Sequence, residues 1–238
     1  MNKLTKEKLI ADKNIAQLLS YLDAEFGIAR TSKNPKIASV FVFGSKISGE
    51  SLAEDDFDIE IVFYDQRHIT DSNLSKIRAF AKVFEKKLDI FVEHINDYGD
   101  GTFKASANNR FASKTLLFRE VATGVTIAGE NVLDKINLTR IPEEEQYGYL
   151  NTAFSYFYDK KYAKAILVAA QALELTELKL NDFKTYNAIV LRLKNKLQSN
   201  LQKILETAYL AKIGKSAITE LEAEKFLKFV GGKIISYT

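Results

Sequence analysis

Between Val42 and Ile61 the chain reads Val-Phe-Gly-Ser-Lys-Ile-Ser-Gly-Glu-Ser-Leu-Ala-Glu-Asp-Asp-Phe-Asp-Ile-Glu-Ile. A Gly44-Ser45 turn closes one apolar run, and Asp56-Phe57-Asp58 opens the next. These residue types handle polyphosphate. Backbone N–H groups of a glycine-bearing turn at a helix N-terminus bind phosphate oxygens, and hard divalent cations neutralise the charge that phosphate chemistry develops. Carboxylates at i and i+2 on a strand point to one face, so Asp56 and Asp58 can grip the same Mg²⁺ while Phe57 and Ile59 turn into the core.

The flanking pattern supplies elements that can position this chemistry. Apolar residues at Leu9, Ile10, Ile15, Leu18, Leu19, Leu22 and Phe26 predict a helix over residues 5 to 27, with Gly27 as its stop. Lys36 to Phe43 reads as a strand that delivers Gly44-Ser45, Ser45 to Glu50 as a short helix, and Phe57 to Tyr64 as a second strand. A helix over Ser72 to Lys87, with Asp71 or Ser72 as N-cap, precedes a third strand, Leu88 to Glu93. Asp89 sits in that strand between apolar neighbours, a costly place for a charge without a partner, which would be either a site that uses it or the adjacent Lys86 or Lys87. Asn96 to Asn109 lacks periodicity and reads as a loop, Arg110 to Thr123 as a helix, and Gly124 to Gly129 as a short closing strand.

Gly44, Ser45, Gly49, Asp56 and Asp58 together resemble the signature of the polymerase-beta-like nucleotidyltransferase superfamily. That signature is a hydrophobic strand, Gly-Ser, three residues, Gly, a spacer, then Asp-x-Asp at the start of a strand. One departure is Asp55, which stands where the family often has Ser. The resemblance covers roughly Lys36 to Gly129 and implies an α/β (α+β) domain with a mixed sheet. It implies that Asp56, Asp58 and Asp89 are catalytic and hold Mg²⁺ or Mn²⁺, with Asp89 also able to take a proton from an attacking hydroxyl. Gly44, Ser45, Gly49 and Lys46 would bind the triphosphate of an NTP substrate, with ATP the favoured one. Gly49 either allows close approach of the nucleotide or ends the short helix. Glu60, Glu93 and Asp55 are further carboxylates for which a share in the metal site stays open.

Composition narrows the alternatives. With no cysteine, and only His68 and His94 as imidazoles, any metal must be held mainly by carboxylates, which suits Mg²⁺ or Mn²⁺. Neither histidine has a paired carboxylate in the sequence, which favours structural roles. The net charge of +3 arises from 34 basic and 31 acidic residues, too balanced to support nucleic-acid binding by charge alone. Lys46 and Arg67 could neutralise phosphate, although such residues commonly sit solvated. No long apolar run suggests a membrane span, and a cytoplasmic protein is expected.

Beyond Pro142 and the acidic run Glu143-Glu144-Glu145 the pattern is helical throughout, with spans near 143–159, 161–181, 184–197, 199–213 and 217–230. Two domains are expected, 1–135 and 142–238, the second an all-α helical bundle whose Ala-rich 161–181 segment is its central helix. This half resembles, in order and pattern, the helical domain of kanamycin-type nucleotidyltransferases and the HEPN family. The resemblance implies a helical domain that selects a hydroxyl acceptor, an aminoglycoside-like small molecule or a macromolecule, and it implies homodimerisation. Glu174 and Glu177 could serve as a base or hold a cationic acceptor; an exposed helix end is the plainer reading. Phe154, Tyr156, Phe157, Tyr158 and Tyr162 could wall a substrate cleft or fill the bundle core. Two rival functions are a toxin–antitoxin-type enzyme modifying protein or tRNA, and a catalytically silent nucleotide-binding module. HEPN-type ribonuclease chemistry is disfavoured, because no histidine follows His94 and the only arginine after Arg140 is Arg192.

Overall fold

The computed structural model describes residues 4–50, 56–84, 88–95, 122–135, 145–175 and 184–235. In place of one helix over 5 to 27, two form: α1 (Lys6–Ile10) and α2 (Lys13–Phe26). Asp12 divides them. Its carboxylate accepts the N–H groups of Asn14 and Ile15 at 3.0 and 3.4 Å, capping α2 from an extended backbone. Ile15, Leu18, Leu22 and Phe26 then form one buried stripe, and Gly27 ends the helix at φ +66°.

That stripe packs on a four-stranded sheet in the order β3-β2-β1-β4. Its strands are β1 (Ile37–Phe43), β2 (Phe57–Phe63), β3 (Leu88–His94) and β4 (Val125–Gly129). β1 runs antiparallel to both β2 and β4, whereas β2 and β3 are parallel, so the sheet is mixed. The parallel pair requires a crossover, which contains α4 (Asp71–Ala81). Thr70 caps α4 by accepting the Asn73 N–H at 3.3 Å, in place of the expected Asp71 or Ser72.

The two faces of the sheet carry different residues. Ile59, Ile61 and Phe63 of β2 and Ile90 and Val92 of β3 join α2 and α4 in the larger core. Val62 and Phe91 belong to a second cluster with Ala38, Phe41, Phe43, Val132 and Leu133. By strand alternation Asp58 and Glu60 share the face of Val62, and Asp89 and Glu93 share that of Phe91. Val40 and Val42 face the first core although Ile37 does too, because a register shift between Ile37 and Ser39 resets the alternation of β1.

Packing separates the described residues into two units. One comprises those up to 135 except Glu50; the other comprises Glu50 and residues 145–235. The second unit contains α5 (Glu145–Tyr158), α6 (Tyr162–Leu173), α7 (Tyr186–Leu193), α8 (Ser199–Lys212) and α9 (Glu220–Ile235). Residues Ala165 to Ala172 of α6 are buried without interruption, and among the described residues α6 packs against α5, α7, α8 and α9. Its alanines allow those neighbours to approach closely. Pro142 and residues 143 and 144 lie outside the described residues, as do most of Asn96 to Thr123 and the end of the expected 161–181 helix.

Glu50 is only 4% exposed, and its carboxylate accepts the N–H groups of Tyr186 and Asn187 at 2.5 and 3.0 Å. It thereby occupies the N-terminus of α7, where Thr185 also caps by accepting the Ala188 N–H. Tyr209 adds its hydroxyl; burial first, then the Glu50 charge and this bond, push its pKa up. Replacing Glu50 with Ala strips one buried and two partly buried donors of their acceptor, and a loss of about 2–3 kcal/mol is expected. Urea unfolding of the E50A chain checks this; a midpoint equal to that of the parent would show that water or neighbouring groups replace the carboxylate.

Candidate functional site

β1 ends at Phe43, and Gly44 follows with φ +87° and ψ −157°, a region open only to glycine. The reason lies beside it: a Cβ at Gly44 would overlap an oxygen of the Asp58 carboxylate. The buried Gly44 N–H is donated to the hydroxyl of Thr123 at 2.9 Å. The chain then turns into the single-turn helix α3 (Ser45–Ser48), in which Ser48 donates its N–H to Gly44 and its hydroxyl to the Ser45 carbonyl. Gly49 takes the left-handed conformation at φ +77° and donates its N–H to Ser45, the geometry of a helix stop. Ser45 is half-buried, and the Lys46 ammonium lies 4.7 Å from the centre of the Phe57 ring.

Asp58 pairs with Phe43 across the β1–β2 ladder and with Asp89 across the parallel β2–β3 ladder. Both carboxylates are half-buried at the leading ends of their strands and on the same face. Asp56, also half-buried, immediately precedes β2. Further along the same face lie Glu60, fully buried, and Glu93, 2% exposed. Among the described residues no three acidic or imidazole groups gather into a ready-made metal centre. The fit to Mg²⁺ or Mn²⁺ therefore rests on the Asp58–Asp89 pairing, on an all-oxygen donor set, and on the absence of a side chain at Gly44 where one would displace Asp58. Asp55 lies outside the described residues.

The other candidates fall elsewhere. Arg67 is bound through its Nε to Asp65 at 2.8 Å just beyond β2, and its side chain is exposed. That bond draws the Asp65 carboxyl down to about 2. His94 pairs with Phe63, five residues along from Asp58 and Asp89, roughly 16 Å at strand rise. Its Nε2 is 3.1 Å from the Tyr64 carbonyl, while His68 offers its carbonyl to Asn73. Glu174 is engaged by Lys196 at 2.7 Å and Arg192 at 3.3 Å, which accounts for it structurally; Glu177 lies outside the described residues. The aromatic run does not form the bundle core, where Tyr149, Leu150 and Ala153 sit. Tyr158 is 76% exposed, and Tyr156 carries the ammonium of Lys164 at 4.3 Å.

Thr123 escapes sequence reasoning, since nothing in its neighbourhood marks it and its partner is 79 residues away. A hollow of about 300 Å³ is also invisible in the sequence; Asp89 helps to line it, with Arg78 and Lys82 from α4 and its C-cap, and Phe84, Leu88 and Ile90.

No protein-family model matches this sequence. No curated protein matches it either. The fold, however, is similar to that of the spectinomycin adenyltransferase AAD(9) from Enterococcus faecialis, solved with ATP and spectinomycin. The superposition has a TM-score of 0.63 at 10% sequence identity and covers 98% of this chain and 100% of that one. At this identity the likeness is one of fold. Among the described residues, no helix is long and apolar enough to cross a membrane.

Replacing Gly44 with Ala forces a positive φ on a residue that resists it and drives a methyl group into Asp58. Such backbone strain costs about 1–3 kcal/mol. A fall in melting temperature is expected, together with a displaced Asp58 carboxyl resonance in the ¹³C spectrum. An unchanged Asp58 resonance would contradict the contact.

Proposed function

We propose that the chain is a metal-dependent nucleotidyltransferase that moves an NMP group from a nucleoside triphosphate, with ATP favoured, to a hydroxyl acceptor. The observation that carries this is the register that sets Asp58 beside Asp89 on one sheet face, with Gly44 pressed against Asp58. The close approach of Gly44, from the Gly-Ser turn, to Asp58, from the Asp-x-Asp run, supports this reading, and so does the likeness in fold to an adenyltransferase.

In this account Asp56, Asp58 and Asp89 hold Mg²⁺ or Mn²⁺. Bound metal would offset the negative charge on the attacking and departing oxygens around the α-phosphate. Ser45 donates its N–H and hydroxyl to the outer phosphates, and Lys46 adds a positive charge at the same turn. Asp89 accepts the proton of the acceptor hydroxyl as its oxygen bonds to the α-phosphorus and pyrophosphate departs. Residues 1–135 supply this machinery, and the bundle of residues 142–238 selects the acceptor.

Asp58→Asn and Asp89→Asn should each lower Mg²⁺-dependent pyrophosphate release by at least about a hundredfold while melting normally. Retention of parental activity in either variant would remove that residue from the chemistry.

A second reading of the acceptor rests on the hollow beside Asp89. Its lining sets two basic side chains, Arg78 and Lys82, against one carboxylate, Asp89, and this excess of positive groups suits an acceptor bearing phosphate or carboxylate, such as tRNA or a protein, better than a polycationic antibiotic. A labelled-ATP assay against aminoglycosides, tRNA and protein extract decides between them. With an anionic acceptor, R78E and K82E should raise its KM; with an aminoglycoside they should lower it or leave it unchanged.

A further inference from the structure

Thr123 is buried, belongs to no motif in the chain, and accepts the buried backbone N–H of Gly44. Backbone pairing of β1 with β4 ends at Val42 and Val125. Two residues before Val125, the Thr123 hydroxyl takes the Gly44 N–H and extends the attachment by one more bond, through a side chain. On its other flank, β1 pairs with β2 as far as Phe43 and Asp58. Gly44 is therefore the first residue past both ladders, in a conformation that only glycine tolerates, with its Cα against the Asp58 carboxylate. A glycine there has wide conformational freedom unless held, and while the Ser48 N–H on the Gly44 carbonyl comes from the turn itself, the Thr123 hydroxyl is the hold that comes from a distant segment.

We propose that Thr123 is a positioning residue for Asp58, acting through Gly44. The tether fixes Gly44, and Gly44 forms the wall that limits where the Asp58 carboxylate can turn. Partners that orient a metal-binding carboxylate without touching the metal strongly affect affinity, and here the orienting contact is steric, set by a hydrogen bond one step away. The metal-related part of this proposal rests on the reading of Asp58 as a metal ligand; the tether itself does not.

The test compares Thr123→Val, which keeps the shape and loses the acceptor, with Thr123→Ser, which keeps the hydroxyl. Thr123→Ala replaces the valine variant if that one does not fold. The first readout is hydrogen exchange at the Gly44 amide without metal. The second is the Mn²⁺ dissociation constant with ATP present, from the paramagnetic resonance of the free ion. Losing the hydroxyl should speed Gly44 exchange and weaken Mn²⁺ binding by about tenfold or more, while the serine variant stays within about twofold of the parent in both. Equal Gly44 exchange in parent and valine variant overturns the tether. Unchanged Mn²⁺ affinity in the valine variant, or equal weakening in valine and serine variants, overturns the positioning role. Failure of the parent to bind Mn²⁺ overturns the metal assignment of Asp58 and the part of the proposal built on it, while the exchange comparison still decides the tether.

Discussion

Two carboxylates placed side by side on neighbouring strands repel one another, and the fold accepts that arrangement at Asp58 and Asp89. The chain could have avoided it by a one-residue slip of either strand, but a slip would turn Ile59, Ile61, Ile90 and Val92 out of the larger core. Burial of those residues therefore locks the acidic pair in register. What the hydrophobic pattern imposes on one face becomes, on the other, a pair of adjacent carboxylates whose oxygens suit a hard divalent cation.

Around that pair the chain forgoes side-chain bulk and backbone freedom. Gly44 cannot carry a side chain without striking Asp58, Gly49 stops α3 after one turn, and Thr123 takes up the first backbone donor left outside the ladders. The second unit is governed by a different constraint. Its central helix is buried along its whole middle by small and apolar residues, and the carboxylate at its C-cap, Glu174, is met by Arg192 and Lys196. Glu50 follows the same logic, its charge met by the N-terminus of α7.

The legible parts of this molecule were those with local causes. Alternation of apolar and acidic residues in β2 and β3 marks the strands and the face each acid takes within its own strand, and the Ala-rich pattern of α6 marks a central helix; that Asp58 and Asp89 lie side by side is set by the cross-strand register, which alternation does not encode. The cap at Asp12 was missed because apolar spacing runs through it while a carboxylate competes locally for the backbone, and the same competition moved the start of α4 to Thr70. Thr123, the hollow by Arg78 and Lys82, and the seat of Glu50 depend on contacts between distant segments, which periodicity does not encode. The aromatic run of α5 misled for a related reason: burial depends on where neighbouring helices pass, and they pass over Tyr149 instead of Tyr158.

The reaction class is tested most directly by following the label in ATP. The chain, Mg²⁺ and a mixture of candidate acceptors would be incubated in parallel with ATP labelled at the α- or the γ-phosphate. Transfer of an NMP group predicts that the α-label appears on the acceptor and the γ-label in pyrophosphate. A γ-label found on the acceptor, or released only as inorganic phosphate, would contradict the account.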